Sequence, residues 1–336
     1  MKVAITCNFL PSGYLRESED DTFAEFDSQE TIDAIKNALL HRCDSVSVIE
    51  ANEDAYEKLR RGNFDFVFNI AEGVRGDARE SHLPAMLEML GIPYTGSGVT
   101  TLAITLDKRR TKEVLFSKGI RTPRFQLIQT FEEYLSGLEF PLFVKPNGEG
   151  SSRGITAQSL VNSKEELKLA VSKIAKTYHQ PVLVEEYLEG REFTLGLLGN
   201  SPPKVLPIVE VGFDHLPEDA PRFDCYEVKW VYDSVKTGFD TTSCPAVVDE
   251  DLKRKIEDAA VRTFQALGIR DLCRIDFRLD REGEPSVIDV NALPGLIPDP
   301  LENSRFPKAA YAAGYSYQDL VGSIFEAALE REGISL

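Results

Sequence analysis

The sequence predicts an α/β domain followed by α+β units, and three observations carry that expectation. At 336 residues the chain is too long for one ordinary core, so two or three domains with a cleft between them is the natural organisation. The first hundred or so residues alternate β-rich runs with helix-periodic stretches, which is the grammar of a parallel sheet. From Leu106 the order changes to helix, strand, short helix, strand, as in a compact α+β unit.

Taken in order, Lys2–Cys7 is β-rich, and after Asp27 the residues Ile32, Ile35, Leu39 and Leu40 recur at helical spacing behind Ser28 or Asp27 as N-cap. Strands follow at Ser45–Ala51 and Phe64–Ile70, and a second helix over Ser81–Leu90 ends at Gly91. The middle third reads as helix Lys108–Lys118, strand Phe125–Ile128, short helix Phe131–Ser136, strand Pro141–Lys145, a β run at Ile155–Leu160 and helix Ser163–Lys176. The apolar run Pro181–Leu188 ends in carboxylates and offers a hinge. Beyond it come long strands at Glu192–Leu198 and Val205–Val211, an irregular polar stretch over Phe213–Ser243, helix Asp249–Leu267, β runs at Leu272–Leu279 and Ser286–Val290, and helical C-terminal segments. The expected domains are 1–100, 101–184 and 185–336, with no internal repeat.

Composition narrows the function. Hydrophobic residues make up 42% and charged residues 28%, as in globular proteins. A net charge of -17 opposes nucleic-acid binding, which needs clustered Lys and Arg to displace counterions. No apolar run is long enough to span a bilayer, and Met1–Thr6 reads as a strand rather than a charged leader, so the expectation is a cytoplasmic protein without a membrane partner. The five cysteines form no Cys-x-x-Cys pair and the four histidines lie far apart, which gives no zinc site and no support for a hydrolytic triad.

Three segments carry chemistry. Gly148-Glu149-Gly150-Ser151-Ser152-Arg153-Gly154 follows the β run Phe143–Pro146. Such a loop can crowd backbone N–H groups and the Ser151 and Ser152 hydroxyls around phosphate oxygens, or it can be an ordinary hairpin loop. It matches neither the P-loop nor GxGxxG. Lys145 at the strand end and Lys108 in Leu106-Asp107-Lys108 are candidate phosphate cations. Arg274-Ile275-Asp276 and Asp289-Val290-Asn291 lie about one strand apart, and residues two apart in a strand share a face. Asp276, Asp289 and Asn291 could therefore supply hard oxygen ligands to magnesium, or Arg274 could pair with the acids as a buried ion pair. The turn Asn291-Ala292-Leu293-Pro294-Gly295 can bring a backbone N–H to a carboxylate or oxyanion.

In this order the segments resemble the ATP-grasp superfamily, and within it the D-alanine–D-alanine ligase family. The matching stretches are Gly91–Gly98, Leu106–Lys108, Val144–Pro146 with Glu149–Ser152, Val184–Leu188 with Gly190–Thr194, Tyr226–Lys229, and Arg274–Asp276 through Asn291 to Gly295. The resemblance implies a three-domain ATP-grasp architecture with an N-terminal Rossmann-like (pre-ATP-grasp) domain. It also implies a ligase that phosphorylates a carboxylate and lets an amine displace phosphate, releasing ADP. Carried over to this chain, Lys108, Lys145 and Lys229 would contact ATP phosphates, Glu185, Glu186, Tyr187 and Leu188 would hold adenine, and Glu192 the ribose. Ser151 and Ser152 would lie in the loop closing over the phosphates. Asp276, Asp289 and Asn291 would bind two magnesium ions, with manganese as a substitute, and Arg274 with the Gly295 backbone would stabilise the tetrahedral intermediate. The resemblance carries with it small amino-acid or carboxylate substrates and a homodimer.

The departures gather where substrates are chosen. The family's first-substrate glutamate has no clear counterpart, and Glu25 is the best match. Trp230 stands where those ligases commonly carry Tyr, Glu72-Gly73 and Gly76-Asp77-Ala78-Arg79-Glu80 replace the usual His-Gly and later Gly-Glu-Asp-Gly, and Pro300-Leu301 stands at the Ser-Leu that would bind the second carboxylate. Asp289 replaces Glu. These differences predict a substrate pair other than two D-alanines.

Overall fold

The computed structural model describes residues 1–15, 21–129, 137–232, 241–302 and 304–335. The expected short helix Phe131–Ser136 and residues 233–240 of the polar stretch Phe213–Ser243 lie outside them.

The N-terminal third is a three-stranded parallel sheet ordered Ser45–Glu50, Lys2–Cys7, Phe66–Asn69. Strand period two divides its core: Val3, Ile5 and Cys7 face the helix Gln29–Leu40, while Ala4 faces Ala55–Gly62 and His82–Leu90. Ser28 caps the first helix by accepting from the Thr31 N–H at 3.2 Å, and Gly91 ends the third in the left-handed region that only glycine adopts without strain. The helix Ala55–Gly62 buries only Ala55 and Leu59, too few apolar residues to announce itself by periodicity. The helix Val99–Leu106 is rich in β-branched residues, yet Thr101, Leu102, Thr105 and Leu106 are buried along one side, and Thr105 Oγ1 donates back to the Thr101 carbonyl at 3.0 Å.

The central unit is a four-stranded antiparallel sheet ordered Phe125–Ile128, Val182–Glu186, Leu142–Pro146, Leu160–Val161, with helix Lys164–Tyr178 packed on it. The expected β run Ile155–Leu160 is corrected: Thr156 caps a 3-10 turn over Ala157–Ser159, and only Leu160–Val161 pairs. The expected domain boundary at 184 falls inside Val182–Glu186, a strand paired on both sides within this sheet.

The C-terminal sheet is antiparallel, ordered Thr242–Ser243, Val209–Val211, Glu192–Leu198, Leu272–Leu279, Pro285–Asn291, with Lys204–Val205 also on Glu192–Leu198. The single long strand expected over Val205–Val211 is therefore two short ones, and Pro207, which has no N–H to donate, lies between them. Helix Glu250–Leu267 covers this sheet, joined by Leu115 and Ile120 from helix Lys108–Ser117 and its exit. The last helix, Tyr317–Glu332, returns to the N-terminal sheet, where Phe325 meets Phe66 edge to face at 5.2 Å. The first and last segments thus share one core. Among the described residues no helix is long and apolar enough to cross a membrane.

Candidate functional site

The site is organised by the strand Leu272–Leu279, held between two others so that register sets which side chains meet. Arg274 lies opposite Asn291, and Asp276 lies opposite Asp289 on one side and Thr194 on the other. Arg274 Nε and Nη2 donate to the two oxygens of Asp276 at 2.9 and 3.0 Å, Asn291 Nδ2 donates to Asp276 at 3.2 Å, and Thr194 Oγ1 donates to it as well. Burial opposes the charge of Asp276, but Arg274 and these hydrogen bonds hold it down to about 2. Asp289 pairs with Lys108 at 3.2 Å. The period-two placement of both pairs is thus as the sequence implies, and the Arg274–Asp276 ion pair is present.

Two neighbouring cavities of about 80 and 90 Å³ meet at this strand. Both are lined by Lys108, Glu149, Ser151, Lys229, Arg274, Asp289 and Asn291, so the expected phosphate, metal and intermediate-binding residues form a shared wall. The first cavity continues to Glu25, Glu72, Glu80, Trp230 and Gly295. The second continues past Lys145, Ser152 and Asp276 to Glu185–Leu188 and Glu192, over the rings of Phe143 and Phe223.

The glycine-rich loop arches over the wall. Ser151 and Ser152 have φ of 50° and 59°, a left-handed conformation that non-glycine residues rarely adopt, and such strain collects at functional loops. Lys108 Nζ donates to the Glu149 carbonyl at 2.8 Å, and the Trp230 indole N–H donates to the Ser151 carbonyl at 3.3 Å. Lys229 and Trp230 sit on the π-helical turn Glu227–Tyr232, within the polar stretch Phe213–Ser243. Burial first, and then neighbouring Arg274, pull Lys229 down to about 8. A buried cation beside a second cation fits a place that receives anionic oxygens.

The nucleotide residues are held differently from their simplest reading. Glu185 is buried and pairs with Lys112 at 2.7 Å and Lys145 at 3.0 Å, so its carboxylate positions two lysines at the cavity edge. Glu192 pairs with Arg278 at 2.7 Å, and burial pushes it up to about 7. Glu186 is tied to Arg124 at 2.7 Å, and the Tyr187 hydroxyl accepts from Arg278 at 2.9 Å with its ring stacked on Phe143. Two lysines on one carboxylate leave a surplus of positive charge suited to phosphate, and the apolar rings beside Leu188 suit a flat base. Asp289 and Asn291 on the shared wall, with Asp276 beside them in the second cavity, are the hard oxygen donors magnesium takes. The residues therefore fit both groups.

Glu25 reaches the first cavity, but its oxygens are occupied by Arg79 at 2.8 and 3.0 Å, Arg153 at 3.0 Å and the Gly150 N–H at 3.0 Å. Despite burial, the two guanidiniums hold its carboxyl below the usual range. Arg79 also accepts a role in closure, donating to the Gly148 carbonyl at 2.8 Å, so the N-terminal unit clasps the loop. Leu301 is corrected as a substrate residue: it is 69% exposed and lines neither cavity, because the chain turns outward there, and Ser304 takes the wall position, donating to the Gly295 carbonyl at 3.0 Å. Sequence reasoning also missed Lys112, Arg278 and the buried Arg305–Asp224 pair at 2.7 Å. Arg278 could have been found, since it continues the two-residue alternation from Arg274 and Asp276.

The D-ala D-ala ligase C-terminus family model matches residues 115–326. The chain is 40% identical over 265 residues to the uncharacterized protein y4sG of Sinorhizobium fredii, covering 79% of this chain and 75% of that one. It is 35% identical over 340 residues to the D-alanine–D-alanine ligase of Carboxydothermus hydrogenoformans, covering 98% and 99%. Among solved structures, the Bacillus anthracis D-alanine–D-alanine ligase complexed with ATP matches with a TM-score of 0.72 at 26% identity over 99% of both chains.

Proposed function

The chain belongs to the D-alanine–D-alanine ligase family and is an ATP-dependent ATP-grasp ligase that forms a carbon–nitrogen bond, and we propose that it joins a carboxylate to an amine other than the D-alanine pair. The observation that carries this is the wall of the first cavity, where Glu72, Glu80 and Trp230 supply acids and an indole.

In this reading the carboxylate lies at the shared wall and accepts a phosphoryl group, and the amine then displaces phosphate from the acyl phosphate. Lys108, Lys145 and Lys229 neutralise phosphate oxygens, because phosphoryl transfer needs positioning and charge neutralisation more than covalent help. Asp276, Asp289 and Asn291 would hold two magnesium ions, replaceable by manganese, which would offset phosphate charge. Arg274 and the Gly295 backbone meet the oxyanion. The loop clasped by Arg79 and Trp230 keeps water from the acyl phosphate. A homodimer is part of the same family-based proposal.

The test measures ADP and phosphate release with magnesium and ATP over a panel of D- and L-amino acids and small carboxylates, with products identified by mass. An amide that needs two substrates supports the reading; ATP binding without any amide product would sink it. A second reading, a genuine D-alanine–D-alanine ligase, is favoured by the 35% identity over 98% of the chain. It is selected if two D-alanines outperform every other pair in kcat/KM.

Lys145→Ala leaves Glu185 paired with Lys112, so folding is preserved while one charged contact to phosphate is lost. Such a contact contributes about 1.5–3 kcal/mol, or roughly a 10- to 150-fold rise in the KM for ATP. A wild-type KM would remove Lys145 from the nucleotide site.

A further inference from the structure

Resting on the ligase reading above, we propose that Glu72 and Glu80 bind a second cationic nitrogen on the amino-acid substrate, so that the preferred substrate is a diamino acid.

Three carboxylates converge at one end of the substrate cavity: one oxygen each from Glu25, Glu72 and Glu80 lies within 4.8 Å of the others. Glu25 is already engaged by Arg79, Arg153 and the Gly150 N–H. Glu80 is only 9% exposed and lines the cavity, and among the described residues neither it nor the partly exposed Glu72 has a hydrogen bond or an ion pair. A carboxylate buried without a partner is costly, and the open direction left to Glu80 is the cavity itself. The crowding shows in protonation: burial, and then Glu25 and Asp289, push Glu80 up to about 8, while burial and Glu80 push Glu72 well above the usual carboxylate range.

Charge decides what enters. Around this end Glu25 and Glu149 are matched by Arg79 and Arg153, which leaves the carboxyl groups of Glu72 and Glu80 without a paired cation. Burial and crowding favour their neutral forms, and a cation placed beside either one favours its ionised form. The α-ammonium of an ordinary amino acid can serve one of the two, and a second ammonium the other. A divalent ion fits less well, since calcium or magnesium seeks about six oxygens, whereas Glu25 is occupied and Arg79 lies within the cluster. The same cavity runs to Lys229, Arg274 and Gly295, so a short diamino acid can place one nitrogen at the acids and its reacting group at the shared wall.

The experiment compares matched pairs in both stereochemical forms: 2,3-diaminopropionate with alanine, 2,4-diaminobutyrate with 2-aminobutyrate, and ornithine with norvaline. KM is read from ADP release and affinity from calorimetry on the full chain with ATP and magnesium. The expected result is a diamino acid with KM and Kd about tenfold or more below its neutral counterpart, and a preference that Glu80→Gln and Glu72→Gln each reduce to within about threefold. Amide formation with neutral amino acids and no diamino preference overturns this inference while the ligase reading stands. No ADP release or amide across the panel overturns the ligase reading, and calorimetry then decides the inference separately. Binding of magnesium without ATP that Glu80→Gln abolishes, with no diamino preference, assigns the acids to a metal and overturns it.

Discussion

Arg274→Lys lowers kcat by about 10²–10³-fold while the KM for ATP stays within about threefold. The substitution keeps the positive charge and removes the fork. In the native chain Nε and Nη2 of Arg274 fix Asp276, while Nη1 has no hydrogen-bond partner among the described residues, and the side chain lines both cavities. A guanidinium can hold a carboxylate with one edge and offer a further donor to an oxyanion, whereas an ammonium is a point charge that must choose. Because the oxyanion forms only after substrates are bound, the loss falls on kcat rather than on ATP binding. Steady-state ADP release with both substrates saturating reads the split. An unchanged kcat would leave Arg274 as a structural partner of Asp276 and take it out of the transition state.

The face shared by Arg274, Asp276, Asp289 and Asn291 was legible because strand geometry maps a two-residue spacing directly onto a side of the sheet. The glycine-rich loop was legible for a similar reason, since its residues are contiguous. What escaped was everything assembled across the chain. Arg79 and Glu25 lie 54 residues apart, and nothing local in either segment marks them as partners that clasp the loop. Glu72 and Glu80 were visible only as departures from a family pattern, and their convergence with Glu25 depends on how the turns after Phe66–Asn69 fold back. Helix Val99–Leu106 escaped because its β-branched composition argues for a strand, and packing against the C-terminal unit overrides that preference. Leu301 failed in the opposite direction: position in a family pattern suggested a pocket residue, but local turn geometry carries the side chain into solvent.

Asp271→Ala lowers the thermal midpoint by roughly 4–7 °C, the shift that a loss of about 3–5 kcal/mol gives in a chain of 336 residues. Asp271 is fully buried and ties three distant parts of the chain together. It accepts from the Gly96 N–H at 2.8 Å, from Asn200 Nδ2 at 2.9 Å, and from Arg331 Nε and Nη2 at 3.0 and 2.9 Å. Removing the carboxylate leaves the Arg331 guanidinium, near the end of the last helix, with only its neighbour Glu332 as counter-ion, and the loss of its fully buried partner is the larger part of the cost. The backbone adds a smaller part, because Asp271 has φ of 67°, where alanine is strained by about 1–2 kcal/mol and asparagine is tolerated. Asp271→Asn isolates the backbone contribution: it keeps the shape and the conformation, loses the charge and one acceptor oxygen, since its NH2 faces two donors in either orientation, and should fall between wild type and alanine. Calorimetric or fluorescence melting of the three proteins reads the order, and equal midpoints for all three would show that the cluster contributes nothing net. The consequence reaches the site, since Leu272 begins the strand that carries Arg274 and Asp276. Loosening its anchor should lower kcat in Asp271→Ala even at temperatures where the chain is fully folded.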